Sequence, residues 1–560
     1  MPDGSAGAAG GYRDPETGKG RVFRGGRFRT MDPRLPEATA LGVWEGRIAY
    51  VGHDPAEAEV RVRAVARGAG AAGAGAVETE DLRGRHAVPG LIDSHSHLIV
   101  EGVRLRQLDV WGRSREEAAE LVRAKAAGLP PGAWLHGRGW DQNLWPGREW
   151  PRREELDRAA PDNPVVIDRV DKHSVWANSL ALRLAGIGHD TPPPPGGEIL
   201  RDDGGAPSGV LVGRAQQLVF SVMPPWDGLD PLEAFLAAER EMLSCGLTTV
   251  VDCGTRKRDF GILGSAYEAG IPRVRFRAYV QAEPWEEGLL GGGPRRGLCG
   301  GRFSLDGVKL FSDGSLGSQS AWLSEGYADR PGHLGGHNYE DGALEEVLAK
   351  VRDRGLQAAI HVIGDAASAQ AVRVMGKVLG AGSRARRWRL EHFQLAPPWL
   401  AREAARLGLV PSIQSVGLMT DLHMAGLRLG EGRLGDAYAW RRLLDLGCVL
   451  INGSDAPIES PNPFLGIYAA CARRDLQWRP EGGFQPGDAL TAAEALASYT
   501  VWPAWAAFAE GELGRLSAGC RCDFAVLDRD PLSTPLRELH GTRALLTVIG
   551  GSPAWASPDF

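Results

Sequence analysis

The sequence predicts an α/β chain built around a closed (β/α)8 barrel, with a small β domain assembled from its two ends. Three observations carry this. The chain has 560 residues, more than one ordinary domain of about 100–200 residues, whereas a barrel of roughly 250 residues or more plus a satellite fits. Eight short apolar runs alternate with helical stretches, the βαβ rhythm of a parallel sheet. Short strand-like segments also recur near both termini.

Residues 1–19 are rich in Gly and polar residues and read as a flexible tail without the apolar core of a signal peptide. Strand-like pieces follow at Arg21–Phe23, Ala40–Trp44 and Arg47–Val51, and again near the other end at Gly519–Leu527 and Ala544–Ile549. Residues 20–88 plus 511–552 are therefore expected to pair into one β domain. The barrel is expected over 89–510, with strands at Leu91–Ser94, Thr248–Asp252, Arg275–Val280, Gly307–Leu310, Gln357–His361, Arg389–His392, Leu409–Ser412 and Val449–Gly453. Helical periodicity fills gaps at Pro231–Cys245, Gly342–Arg354 and Ala366–Leu379. The stretch from His97 to Thr248 is far too long for one helix. It predicts an insertion at about 100–245, a natural lid or pocket wall.

Composition narrows the partners. Apolar residues make up 43% and charged residues 24%, which excludes wholesale disorder. Basic and acidic residues nearly cancel, 64 against 70, so neither nucleic acid nor an anionic membrane is expected as partner. No run of about 18 apolar residues is present to span a membrane. The seven cysteines are odd in number, and the one close pair, Cys520 and Cys522, lacks the partner pair of a zinc site. They read as reduced thiols in a cytoplasmic protein. A small-molecule substrate is expected, with self-association into a homo-oligomer left open. Seven lysines stand against fifty-seven arginines, so a lysine inside an apolar strand stands out.

Four segments carry metal-type chemistry. In Pro89-Gly90-Leu91-Ile92-Asp93-Ser94-His95-Ser96-His97, alternation along a strand puts His95 and His97 on one face, about 7 Å apart. A histidine closes an apolar strand at His361 and again at His392, and an aspartate, Asp455, follows the last apolar run. Each alone has an ordinary reading: a surface or core histidine, or for Asp455 a helix cap. Together they share one address. All fall at C-terminal strand ends, which converge on one mouth in a barrel, where active sites sit. Imidazole and carboxylate there read as one transition-metal site.

With these residues in place, the chain resembles the amidohydrolase superfamily of metal-dependent hydrolases. Finer motifs resemble amidohydrolase family 3, the branch that contains N-substituted formamide deformylases. They are GRGWDQNLW (137–145), DKHSVWANSLAL (171–182), LDGVKLFSDGSLGS (305–318), HVIGDAA (361–367) and LEHFQL (390–395). The resemblance covers about residues 20–550 and implies a TIM barrel with a composite β-sandwich built from both termini. It also implies that Lys309, inside the apolar strand Gly307-Val308-Lys309-Leu310-Phe311, is carboxylated by carbon dioxide and bridges two metal ions. Two departures are visible. The chain reads Gly317-Ser318-Gln319 where members commonly read Gly-Ser-Arg, and Lys172 precedes His173 where glycine is common.

The function this implies is hydrolysis of a non-peptide C–N bond, amide or formamide in type, by metal-activated water. One or two divalent ions, zinc by the nitrogen-rich donor set, are expected on His95, His97, Lys309, His361, His392 and Asp455. Asp455 is the expected proton carrier. Trp140, Asp141, Trp145 and Trp322 are candidate substrate contacts. An N-substituted formamide, an N-acyl amine or a cyclic amide all fit. The rival readings are ester or lactone hydrolysis, deamination or isomerisation on the same fold, and a metal-free scaffold without catalysis. A Ser-His-Asp hydrolase is disfavoured because no G-x-S-x-G lies between a strand and a helix.

Overall fold

The computed structural model describes residues 18–69, 77–142, 145–169, 174–194, 197–224 and 230–560. Nearly all of the expected tail, and Asn143, Leu144, Asp171, Lys172 and His173 of the sequence motifs, lie outside the described residues. The chain divides into two compact units: residues up to Val100 together with Phe235–Phe560, and Glu101–Ala234.

The first unit contains the barrel. Eight parallel strands lie side by side in chain order: β1 (Leu91–Ser96), β2 (Leu247–Thr255), β3 (Arg275–Gln281), β4 (Phe303–Phe311), β5 (Gln357–Val362), β6 (Arg389–His392), β7 (Val410–Ile413) and β8 (Ile451–Asn452). Each overlaps an apolar run that the sequence marks. Strands β2 and β4 extend further than their apolar cores, because polar neighbours such as Thr255, Ser304 and Asp306 are also buried. Near-continuous burial is what parallel strands covered on both faces require. Inside the barrel Val251, Cys253, Tyr279 and Ala359 form one cluster. Outside, helices such as Asp341–Asp353 cover it with one stripe, Leu344, Leu348 and Val351. Beyond the short β8 the ring closes through strand tips: the Asp455 amide donates to the His95 carbonyl at 2.6 Å, and the His97 amide to the Ala456 carbonyl at 2.9 Å.

The β domain is one eight-stranded sheet that draws on both ends of the chain. Its order is Ser552–Ala556, Ala544–Ile549, Phe524–Leu527, His86–Pro89, Gly20–Arg29, Glu37–Trp44 and Arg47–Gly52, with Glu78–Asp81 also paired to Gly20–Arg29. The strand His86–Pro89 joins the two contributions, pairing antiparallel with Phe524–Leu527 and parallel with Arg27–Phe28. The sheet folds over a core of Phe23, Phe28, Leu41, Phe524, Val526 and Val548, where Phe23 and Phe28 both meet Phe524 edge-on. A helix at Pro55–Gly68, capped by the Asp54 carboxylate, buries Val22 and Trp44 on the other face. A buried bidentate pair, Arg275 with Asp523 at 2.6 and 2.9 Å, ties β3 to this domain.

The second unit carries its own six-stranded mixed sheet, in the order Gly197–Arg201, Pro207–Gly213, Ser174–Ala177, Val165–Arg169, Leu135–Trp140 and Leu108–Asp109. Alternation splits its side chains between two cores. Val165, Ile167, Trp176 and Val210 face one, and Val166, Val175, Ala177 and Leu211 the other. All seven cysteines of the chain are free thiols. Among the described residues, no helix is long and apolar enough to cross a membrane.

Candidate metal centre

The six candidate ligands meet at the C-terminal ends of the barrel strands. In β1 and just past its end, period-two alternation aligns Asp93, His95 and His97. His95 is fully buried, and its Nε2 lies 3.2 Å from Nζ of Lys309 on β4 and 3.4 Å from Oδ1 of Asp455 beyond β8. His97 approaches the same oxygen, Nε2 to Oδ1 at 3.2 Å. His361, near the end of β5, meets His392 edge-on at 4.4 Å between ring centroids, and His392 lies tilted at 5.1 Å from His95. One ligand atom from each of His95, His392 and Asp455 falls within 4.8 Å of the others.

Two of these residues arrive by departing from ideal strand geometry. Alternation along β6 points Arg389 and Glu391 into the barrel and His392 away from it. His392 reaches the site because it and Phe393 adopt left-handed backbone, φ 70° and 44°. Asp455 does the same at φ 58°. Such conformations are costly for non-glycine residues and persist where the surroundings impose them. Asp93 supplies part of that constraint. Its carboxylate accepts from the His95 amide (3.0 Å), the Ser454 amide (3.1 Å) and the Ser454 hydroxyl (2.6 Å), tying β1 to the turn beyond β8. Gly453 permits the approach, since a Cβ there would meet the His95 nitrogen at 2.4 Å.

The electrostatics prepare the imidazoles as ligands. Burial, with Lys309 adding to it, pushes His95 and His361 down to about 4. Burial and the neighbouring His361 hold His392 well below its ordinary range. All three are therefore neutral near pH 7, the form that binds metal. Burial opposes ionisation of Asp455, but His95, His97 and His392 outweigh it and hold the carboxyl well below the usual carboxylate range. Lys309 is 2% exposed, and its Nζ lies 4.9 Å from the centre of the Phe311 ring.

The donor set fits a divalent cation. Nδ1 of His95 donates to Oε2 of Glu391 at 2.6 Å, so Nε2 carries the lone pair, and it faces the Asp455 carboxylate at 3.4 Å. Lys309 Nζ lies 3.2 Å from the same Nε2, and a divalent cation in the gap would be met by the imidazole lone pair and the carboxylate together. Their 3.4 Å separation is about the edge of a tetrahedron with bonds of ~2.1 Å. Nε2 of His361 donates to the Gly314 carbonyl at 3.1 Å, which leaves its Nδ1 as the free donor atom.

The other predicted contacts have clear places. Trp140 and Trp145 are 1% and 4% exposed and stack on each other in a core of the insertion, with Trp176 against Trp145. Their indole N–H groups bond the carbonyls of Ile167 and Arg113. Asp141 accepts from Arg169 at 2.8 Å. Trp322 is half-buried in the loop after β4, its ring 4.5 Å from that of His337. Gln319 bonds the exposed Asp329. Sequence reasoning passed over Arg389, Glu391, Asp313 and the role of Asp93. Of these, Asp93 was legible, two residues before His95 on the same strand face. Asp313 accepts the amides of Trp322, Ile363 and Gly364; burial pushes its carboxyl up to about 7.

Comparison with known proteins agrees with this architecture. The model of the amidohydrolase family matches residues 78–554, and the chain belongs to that family. It is 30% identical to the N-substituted formamide deformylase of Arthrobacter pascens over 539 residues, 93% of this chain and 96% of that one. It is 32% identical to the protein LONG AFTER FAR-RED 3 of Arabidopsis thaliana over 539 residues, 94% of this chain and 90% of that one. The crystal structure of an uncharacterized metal-dependent hydrolase from Pyrococcus horikoshii superposes with a TM-score of 0.75 at 27% identity, covering 92% of this chain and 99% of that one.

Proposed function

We propose that the protein is a metal-dependent hydrolase that cleaves a non-peptide C–N bond, of amide or formamide type, in a small molecule. One observation carries the reading: six side chains from five strand ends converge on a site where the His95 lone pair faces the Asp455 carboxylate. His95, His97, His361, His392 and Asp455, with Lys309 as its carbamate, are the residues that would hold one or two divalent ions. The nitrogen-rich set favours zinc. When bound, such an ion acts as a Lewis acid and lowers the pKa of water towards ~7.

The chain's own residues supply the rest. The Asp455 carboxylate accepts the proton of the attacking water and returns it to the leaving nitrogen. Its carboxyl is held ionised, so the acceptor is ready across the neutral range. Carboxylation of Lys309 would convert a buried amine into an anion able to share charge with the ions. Trp322 offers an apolar wall for a substituent on nitrogen. Similarity to the Arthrobacter pascens formamide deformylase supports an N-substituted formamide among the candidate amides. The free cysteines support a cytoplasmic location.

The test begins with protein purified without added metal. Metal content is measured by inductively coupled plasma mass spectrometry, followed by a screen of N-substituted formamides, N-acyl amines and cyclic amides. One or two equivalents of metal with turnover of one class is the expected result. Failure to take up zinc even with added bicarbonate would overturn the reading.

A further inference from the structure

We propose that Arg389 and Glu391 form a buried positioning pair that sets the tautomer and ring orientation of His95, an inference that rests on the metal-site reading above. Both are fully enclosed in the barrel. Oε2 of Glu391 accepts the Nδ1 proton of His95 at 2.6 Å. Arg389 grips the same carboxylate from the far side, Nε to Oε1 at 2.7 Å and Nη2 to Oε2 at 3.1 Å. The guanidinium is itself pinned: Nη2 donates to the Ser94 carbonyl at 2.6 Å and the Ser412 hydroxyl at 3.2 Å, with Cys253 Sγ at 3.8 Å. It lies 4.8 Å from the centre of the Tyr279 ring, whose hydroxyl donates to Gln357 at 3.0 Å. A connected polar column therefore runs up the barrel interior and ends on one imidazole.

Burial of an ion pair is a poor source of stability, since desolvation of two charges offsets their attraction and apolar residues of similar volume often do as well. What an apolar replacement cannot do is accept the Nδ1 proton. With that proton placed on Nδ1, the Nε2 lone pair is directed at the gap shared with Lys309 Nζ and Asp455 Oδ1. Carboxylate partners of ligating histidines act in this way, and their loss typically costs about 10–100-fold in metal affinity.

The experiment measures zinc affinity of the metal-stripped protein, by competition with a chromophoric chelator. Thermal unfolding of the metal-free protein is followed in parallel. Glu391→Gln is expected to weaken zinc binding by about 10–100-fold and to lower the metal-free melting temperature, because it leaves the buried Arg389 without its charge partner. Cobalt loaded in place of zinc should show an altered visible spectrum. Because a lone buried Arg389 can disturb folding, the double variant Arg389→Met/Glu391→Leu removes both charges together and serves as the second arm. It too should bind zinc weakly while folding. A folded double variant, or a folded Glu391→Gln, that binds zinc as tightly as the parent would overturn the proposal and leave the pair a feature of the core. Parent protein that binds no zinc would be recognised before any variant is made. That result would remove the metal reading itself, and this inference with it.

Discussion

Nε2 of His97 lies 3.2 Å from Oδ1 of Asp455, so a residue just past the first barrel strand meets one just past the last. The backbone does the same at this point, through the Asp455 amide on His95 and the His97 amide on Ala456. Closing the barrel and assembling the site are one event. The bonds that close it use main chain, and the chemistry uses the side chain.

Replacing Asp455 by Asn should therefore spare the fold while removing the proton acceptor. Loss of general acid–base catalysis alone predicts a fall in kcat of at least about 10²–10⁴-fold. Circular dichroism and the melting temperature should stay near those of the parent. Turnover close to normal would exclude Asp455 as the proton carrier.

Lys309→Ala should empty or weaken the metal site, because it deletes the anion that a carbamate would place there. Short carboxylic acids added in solution should restore part of both metal content and activity. Metal content unchanged from the parent would refute the carbamate.

Gly453→Ala tests the junction sterically. Its Cβ would meet the His95 nitrogen at 2.4 Å and Oδ1 of Asp93 at 2.8 Å, and neither can retreat without breaking the bond between them. Destabilisation of about 1–3 kcal/mol is expected, with activity falling further than stability because His95 moves. A variant matching the parent in melting temperature and kcat would contradict this geometry.

Trp140→Ala should act on the insertion. Removing a buried indole costs about 3–5 kcal/mol, and here it also strands the Ile167 carbonyl that the indole N–H satisfies. Amide hydrogen exchange along Val165–Arg169 should accelerate. Unchanged protection there would argue against a packing role for this ring.

One acid-sensitive contact can be named. Glu494 is drawn down to about 2, first by its bond with Arg441, against some burial and aided by the Thr491 amide and hydroxyl that donate to its carboxylate. A carboxyl depressed in the folded state contributes stability that is present above its ordinary value of 4.5 and lost as pH falls through the folded value. The melting-temperature difference between the parent and Glu494→Gln should be largest near neutrality and shrink as pH falls below about 4. The pair is partly exposed, so the difference will be small and reduced by salt. A difference that persists unchanged at low pH would mean the carboxylate charge is not its source.

The barrel strands and five of the residues that meet at the candidate metal site stood out in the sequence because both signals are local. An apolar run with a helix behind it needs no distant partner to be seen, and the two-residue period of a strand puts His95 and His97 on one face by itself. Lys309 stood out as a rare lysine inside an apolar strand, but its carbamate role came through resemblance to a family. What tertiary structure decided lies wherever long-range pairing or backbone strain sets the outcome. In the insertion, spacing alone left Trp140 open between a pocket mouth and a core, and packing in its own core decided it. His86–Pro89 is too short to announce itself, yet it joins the two ends of the chain into one sheet. Alternation along β6 separates His392 from Glu391, and the left-handed turn at His392 brings both to the same imidazole, one beside its ring and the other on its Nδ1. Residue type and spacing determined which side chains could bind a metal. The direction in which His95 presents its lone pair was decided by a carboxylate 296 positions away in sequence, because a hydrogen bond is set by proximity in space.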